Sequence, residues 1–400
     1  MGYASSYQIK FKEAVRTVLG DQLLQVFTFW KGRVALYAIL KALNIRPGDE
    51  VIMPAFTCVV VPNPVLYLGG MPVYVDIDPR TYNMNIGLIE SRITKKTKFI
   101  MAQNTFGLSS DFDAITAIAQ QYGITVIEDC AHGFGGTYKG KPNGTVAEAA
   151  FFSTQWNKPF STGLGGIAVT RNMDVASKLK EFEDSFIPPS LFEESLLRTL
   201  YITRTYLLTS RTYWLALKLY RWLSRYNLIL GSSKGEELQA PVQPKYFAKG
   251  FSDFQARAGI KQLMKFSKTL EHRRKTAACY DSFLKTQGID PLFVPSYAEH
   301  AYLKYPLLVK SRDSIFKKAI DAKIELGDWF LSPIHPIKNN FEHWNYRWGT
   351  NPIGEKISQH IINLPTHPDV DDRYMDRIQT FLQKNRDHIC SSVEECLKFN

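Results

Sequence analysis

Short apolar runs alternate along this chain with longer stretches in which apolar residues recur at helical spacing. Val34 to Leu43 has that spacing, and Asn44 with the Pro47-Gly48 turn ends it. Val51-Ile52-Met53 predicts a buried strand, Val59 to Tyr67 a helix despite Pro62 and Pro64, and Val73-Tyr74-Val75 another strand. Ile86 to Ile93 predicts a helix, Phe99 to Ala102 a strand, Phe112 to Tyr122 a helix, and Ile124 to Ile127 a strand. Ala149 to Phe152 is a further apolar run, and residues 8 to 28 predict a leading helix. Strands separated by helices of this length imply an α/β fold with a mostly parallel sheet covered on both faces. Functional groups in such a sheet gather beyond the carboxyl ends of the strands. Asp129 and Ser153 both stand at such ends.

The texture changes near Pro188-Pro189. From Ser195 to Leu230 there is no acidic residue, and the basic ones are Arg198, Arg204, Arg211, Lys218, Arg221 and Arg225. Arg204, Arg211, Lys218 and Arg225 recur every seven residues, which places them on one helical stripe. Leu, Tyr, Trp and Ile fill the intervals, a composition that suits an anionic membrane surface. The same pattern suits an insertion packed on its own domain or on a second subunit. Gly231 to Gln243 reads as a loop and Asp253 to Leu284 as one long helix. Tyr302 to Val309 predicts a strand, Ser314 to Lys323 a helix, Ile361 to Pro365 a strand, and Asp371 to Cys390 the final helix. The expected organisation is a large domain over 1–245 carrying the basic aromatic insertion at about 190–230. A long connecting helix and a smaller C-terminal α+β domain would follow over 246–400.

Composition changes the picture in three places. With 400 residues, 45% hydrophobic and 22% charged, the chain has material for a substantial core. A net charge of +11 is compatible with nucleic acid, an anionic membrane or a phosphorylated substrate. No zinc-finger spacing or RRM-like aromatic motif occurs, so nucleic acid is not an expected partner. The five cysteines are scattered without a C-x-x-C pair, so neither a disulfide framework nor a metal site is expected. The N-terminus lacks the apolar core of a secretory signal, and no uncharged apolar run approaches the ~18 residues that span a bilayer. The expected location is cytoplasmic, with peripheral contact at the inner face of the membrane if 195–230 binds it.

The chemistry concentrates between Ile124 and Thr170. One apolar run ends in Glu128-Asp129, and a glycine-rich loop follows. The next run ends at Ser153, with Lys158 five residues on and Gly163, Gly165 and Gly166 behind it. A strand-end aspartate alone often caps a helix, and a lone lysine usually lies on the surface. Together they match what pyridoxal phosphate needs: an amine for a Schiff base and a carboxylate that keeps the ring nitrogen protonated. Gly32, opening a predicted helix, offers backbone N–H groups to a phosphate, and Ser153 offers a hydroxyl. Lys158 sits in a partly apolar loop, where desolvation would free its amine. No G-x-x-x-x-G-K-[ST] occurs, and no G-x-G-x-x-G opens the first helix.

Several stretches resemble pyridoxal-phosphate-dependent nucleotide-sugar aminotransferases of the DegT/StrS type. Gly32 to Leu36 resembles S-G-T-x-A-L, and Pro47 to Thr57 resembles P-G-D-E-V-I-x-P-x-x-T. PVYVDID at 72–78 and VIEDCA at 126–131 are close to the usual forms. Phe152-Ser153 with Lys158 matches F-S-x-x-x-x-K, and Gly163 to Gly166 resembles G-E-G-G. SDFQARAG at 252–259 resembles S-x-x-Q-A-x-x-G, and NLPTHP at 363–368 resembles N-L-P-x-H-P. The resemblance implies the aspartate aminotransferase fold and a homodimer with sites at the subunit interface. It implies that Lys158 is the Schiff-base lysine and proton shuttle, and that Asp129 pairs with the pyridine nitrogen. His132 would lie near the phenolic oxygen, and Gly32, Arg33 and Ser153 would hold the phosphate. Cys58 stands where the family usually has an aromatic ring over the cofactor, Arg33 replaces a small hydroxyl residue, and Leu164 replaces a glutamate. The family's asparagine for the neighbouring subunit's phosphate is missing near Phe247 to Gly250, where Lys249 would supply charge instead.

The implied activity is transfer of an amino group from glutamate to a nucleotide-linked keto-sugar, for cell-surface polysaccharide or lipopolysaccharide precursors. One alternative keeps the cofactor but takes a lipid-linked or membrane-presented acceptor. Another is a non-catalytic regulator or scaffold, which Lys158 and Asp129 argue against. His335 and His367, in proline-rich loops, could line the substrate cleft, although a structural role is the commoner one for such histidines; His300 is expected to mark the entry to a strand, and Arg273-Arg274-Lys275 a solvated helix face.

Overall fold

The structure, a computed structural model, describes residues 5–207 and 235–399. Arg211, Lys218 and Arg225 of the basic stripe, and Arg221 beside it, lie outside the described residues. Helix α1 (Ser6–Leu19) starts at a capping box in which Ser5 and Gln8 satisfy each other's backbone N–H groups. It stops at Gly20, which is left-handed. The predicted helix therefore ends well before residue 28. The β-branched and aromatic run Gln25–Phe29 is strand β1 instead.

The central sheet contains β1, β2 (Glu50–Pro54), β4 (Met71–Val75), β5 (Thr97–Gln103), β6 (Thr125–Asp129), β9 (Ala149–Ser153) and β10 (Gly166–Thr170), with β3 (Thr57–Cys58) outside it. Its order is β1-β10-β9-β6-β5-β2-β4, and only β10 runs against the others. A hairpin of β7 (Thr137–Tyr138) and β8 (Lys141–Pro142) stands apart and receives β11 (Ala298–Glu299). Helices α2 (Gly32–Ala42) and α3 (Pro62–Tyr67) cover one face with α5 (Met173–Ser185), while α1 and α4 (Phe112–Tyr122) lie in the clusters of the other. α3 is shorter than its apolar spacing suggests. Proline supplies no N–H, so the helix begins at Pro62 rather than running through it. The segment 86–93 forms only two single 3₁₀ turns, Ile86–Leu88 and Glu90–Arg92. It is too short to propagate a helix, and Asn85 takes the Gly87 N–H.

The expected helix over 253–284 is two helices, Asp253–Leu263 and Phe266–Thr286. The second joins two cores. Phe266 packs beneath the large sheet, while Ala277, Tyr280 and Leu284 enter a separate cluster with Tyr305, Leu307, Ile362 and Leu364. There β12 (Tyr305–Leu308) pairs antiparallel with β14 (Ile361–Leu364). The strand predicted from Tyr302 starts later because Tyr302 has a positive φ of 48°. The last long helix is Asp372–Lys384, ended by Asn385 and a 3₁₀ turn. Arg273 is buried rather than solvated, and it donates to the Leu303 carbonyl and the Thr366 hydroxyl. One further pairing links the halves: β13 (Ile334–His335) lies parallel to β3, with Ile334 opposite Thr57 and His335 opposite Cys58.

After α6 (Leu191–Ile202) the described chain resumes at residue 235 and returns to the large core through Glu237. Glu237 accepts from Arg33 of α2 at 2.5 Å, with both side chains under 5% exposed. Breaking a buried ion pair costs more than replacing both partners by apolar residues of similar volume. Glu237→Ala is expected to lower unfolding stability by about 3–5 kcal/mol. Arg33→Met with Glu237→Leu should recover most of it, as checked by denaturant melts of both variants.

Candidate active site

The carboxyl ends of the sheet strands converge on one edge. Asp129 ends β6 opposite Gln103 of β5 and Phe151 of β9. Ser153 ends β9 opposite Gly166, and Gly166 faces Phe29 at the end of β1. Gly32 then opens α2, and a Cβ there would lie 2.9 Å from the Ser153 Cβ. A Cβ on Gly166 would lie 2.2 Å from the Lys31 carbonyl oxygen. Two glycines thus let the first turn of α2, the β9 end and the β10 start come together. The Gly32 N–H has no acceptor inside its own helix, and the Ser153 hydroxyl makes no hydrogen bond among the described residues. The Arg33 guanidinium points to Glu237, so what Arg33 can present to this cradle is its main chain.

Asp129 is buried, and one oxygen accepts from the Ala131 N–H at 2.9 Å. Burial raises its pKa to about 6, against the opposing pull of that hydrogen bond and of Lys158. Its neighbour Glu128 points away and accepts from Asn104 at 2.8 Å; burial pushes its carboxyl up as well. Lys158 sits in a tight turn, its N–H bonded to the Gln155 carbonyl at 3.0 Å. Burial lowers its amine to about 8, while Cys58 and Asp129 pull the other way.

The turn itself is fixed from behind. Thr154 and Thr162 share a hydroxyl hydrogen bond at 2.6 Å, and Gln255 donates to the Leu164 carbonyl at 2.6 Å. The Leu164 side chain packs with Trp30 and with Leu197 of α6. A leucine at this position is therefore part of a small core. Arg204, just beyond α6, donates to Asn157 at 2.7 Å and lies 5.6 Å over the Trp156 ring. The start of the basic segment thus rests on the lysine turn.

His132 is buried, and its Nδ1 accepts from the Phe106 N–H at 3.3 Å, which places a neutral ring's proton on Nε2. Burial drives its pKa well below the ordinary value. Cys58 is half-buried beside Lys158, Arg33 and Asp129, and burial raises its thiol. Lys249 pairs with Glu193 of α6, so its charge is already engaged within this chain. His300 lies just past β11 rather than at the entry to a strand, its Nδ1 accepting from the Tyr302 N–H at 2.7 Å.

Trp329, Lys304 and Glu325 were not singled out by sequence reasoning, and all come from the C-terminal half. Trp329 stacks on His132. Lys304 lies within electrostatic reach of Lys158, and burial lowers its amine. Glu325 bonds His367 at 3.1 Å and is held down to about 2, with that histidine and Lys304 outweighing its burial. His335, expected to be structural, lies close enough to Lys158 to feel its charge, and burial lowers it to about 4. The proline-flanked motif at 333–336 is the sequence signal that offers His335 as a cleft residue. For Trp329 and Lys304 only the fold brings the residues in.

A family model described as the DegT/DnrJ/EryC1/StrS aminotransferase family matches residues 5–188 and 247–383. The interval between these matches contains α6 and the basic segment. The chain is 32% identical over 345 residues to UDP-2-acetamido-2-deoxy-3-oxo-D-glucuronate aminotransferase of Pseudomonas aeruginosa, covering 85% of this chain and 80% of that one. It is 29% identical over 354 residues to GDP-perosamine synthase of Caulobacter vibrioides, covering 87% and 82%. The solved structure of NtdA from Bacillus subtilis with bound cofactor PMP superposes with a TM-score of 0.73 at 25% identity, covering 95% of this chain and 77% of that one. The chain belongs to the DegT/DnrJ/EryC1/StrS aminotransferase family and is a pyridoxal-phosphate-dependent aminotransferase.

Proposed function

We propose that this enzyme moves an amino group from glutamate to a nucleotide-linked keto-sugar during synthesis of surface polysaccharide precursors. The observation that carries the reading is the meeting of Asp129, Lys158 and the Gly32–Ser153 cradle at one sheet edge. The donor set fits the cofactor. The Gly32 N–H and the Ser153 hydroxyl, with the Arg33 main chain, would hold its phosphate, and Asp129 would face its ring nitrogen. Lys158 would attach its carbonyl carbon, and His132 would donate from Nε2 to its phenolic oxygen. When bound, the group supplies an electrophilic carbon and an electron sink.

The protein's own share is electrostatic. Asp129, raised to about 6, is ionised at neutral pH but poorly solvated, so a cation against it is favoured. By itself that buried carboxylate lowers stability as pH rises through about 6, and a protonated ring nitrogen would offset the loss. Lys158 is partly neutral at physiological pH and can both attack as a free amine and carry a proton. Lys304 and Arg204 add positive charge on the side of Lys158, which suits an anionic substrate. The names of the Pseudomonas and Caulobacter relatives support a nucleotide-linked acceptor.

We also propose a homodimer. Leu191 and Phe192 of α6 are 85% and 75% exposed, an apolar pair that a second subunit would cover. The same face favours the second reading, a membrane-presented acceptor. No helix among the described residues is long and apolar enough to cross a membrane. Flotation with anionic vesicles separates the two readings, because a protein that dimerises but never floats supports only the first.

A panel of nucleotide-linked keto-sugars with glutamate, analysed by mass spectrometry, is expected to give one amino-sugar product. Lys158→Ala should abolish it along with the cofactor's visible band. No product from any member of the panel would reject the acceptor class, and an unchanged band in Lys158→Ala would reject the lysine. The rate of cofactor attachment should rise with pH and level off above about 8, as the Lys158 amine loses its proton. Stopped-flow absorbance checks this, and a rise continuing to the ordinary lysine value of about 10.4 would contradict the desolvated site.

A further inference from the structure

We propose that Trp329 contacts the cofactor ring and supplies the aromatic surface that Cys58 does not. The inference rests on pyridoxal phosphate being attached at Lys158.

The geometry is specific. The indole of Trp329 and the imidazole of His132 lie 4.7 Å apart between centroids, with 1° between their planes. The Lys158 Nζ lies over the same indole, 4.5 Å from its centroid. A ring joined to that nitrogen through one exocyclic carbon therefore begins within contact range of Trp329. His132 carries no charge, because burial holds its pKa far down, so its stack with the indole is between two neutral rings. A flat pyridine ring can join such a parallel layer with little rearrangement of orientation.

The backbone beneath Trp329 is held by a single side chain. The Trp329 N–H donates to the Asn363 Oδ1 at 3.0 Å, and the Asn363 Nδ2 donates to the Trp329 carbonyl at 2.8 Å. Asn363 is itself fully buried in β14 and exchanges two main-chain hydrogen bonds with Gly327. A Cβ on Gly327 would come 3.0 Å from the Asn363 Oδ1, so a glycine there keeps this approach close. Asn363 opens the N-L-P-T-H-P stretch, which gives that motif a task in this chain: it sets the position of Trp329. Phe330, stacked at 5.7 Å and 11° from His132, backs the layer. Cys58 also borders Lys158, but a thiol has no face to stack. Its strand is paired with β13, where His335, opposite Cys58, is six residues beyond Trp329 in the chain. The aromatic surface has moved from β3 to the segment that approaches β3 from the other half.

The test measures the affinity of the full chain for pyridoxal phosphate by titrating the visible band and its circular dichroism. Trp329→Ala is expected to weaken binding about tenfold, the loss of one aromatic stacking partner. Trp329→Phe should stay within about threefold of the wild type. Fluorescence energy transfer from tryptophan to the bound cofactor should fall in Trp329→Phe. If Trp329→Ala does not fold, Trp329→Leu keeps apolar bulk without a ring and should behave as the alanine variant would. An alanine or leucine variant with a lowered Tm but wild-type affinity and dichroism would overturn the proposal, as would a phenylalanine variant as weak as alanine. A wild type that shows no visible band would instead overturn the attachment at Lys158 on which the proposal rests.

Discussion

Everything at this site depends on two opposite charges drawn out of water at the same sheet edge. Asp129 and Lys158 each shift toward neutrality, the acid to about 6 and the amine to about 8, and burial is the larger cause in both. They pull each other back only partly. Neither group gains from this arrangement unless something charged and aromatic comes between them. A ring with a protonatable nitrogen at one end and an electrophilic carbon at the other meets both demands. The close approach of Gly32, Ser153 and Gly166 serves the same end, since it leaves main-chain and hydroxyl donors where an anion can sit.

The large sheet was legible because buried parallel strands leave continuous apolar runs, and Asp129 and Ser153 end two of them. Lys158 was legible by its distance from Ser153 and the glycines behind it. Local spacing failed where chain direction was decided by one residue: Gly20 ending α1, the prolines delaying α3, the break before Phe266. Arg273 was misassigned because three consecutive basic residues look solvated, yet this one faces the connection between the two cores. The residues missed around the site share one cause. Trp329 and Lys304 lie more than 140 residues from Lys158 in the chain, and contacts between the two halves bring them to it: β13 pairs with β3, and the Leu303 N–H, next to Lys304, donates to the Phe106 carbonyl. A local motif can mark an acid and a lysine on neighbouring strands. It cannot mark a tryptophan delivered by another core.

The two halves thus divide the work. The large sheet holds the groups that would grip phosphate, ring nitrogen and carbonyl carbon. The C-terminal half brings Trp329 over the lysine, along with Lys304 and the Glu325–His367 pair. Residues 189–246 lie outside the two family matches, yet Leu197 of α6 and Arg204 just beyond it rest on the lysine turn. Part of the stretch outside the family matches therefore stands next to the lysine turn.

The most direct measurement is borohydride reduction of the protein loaded with pyridoxal phosphate, followed by peptide mapping in a mass spectrometer. Two lysines with depressed amines stand near each other here, Lys158 and Lys304, so the position of the reduced adduct discriminates between them. The account predicts one adduct per chain, on the peptide containing Lys158. An adduct on Lys304, or none, would contradict it.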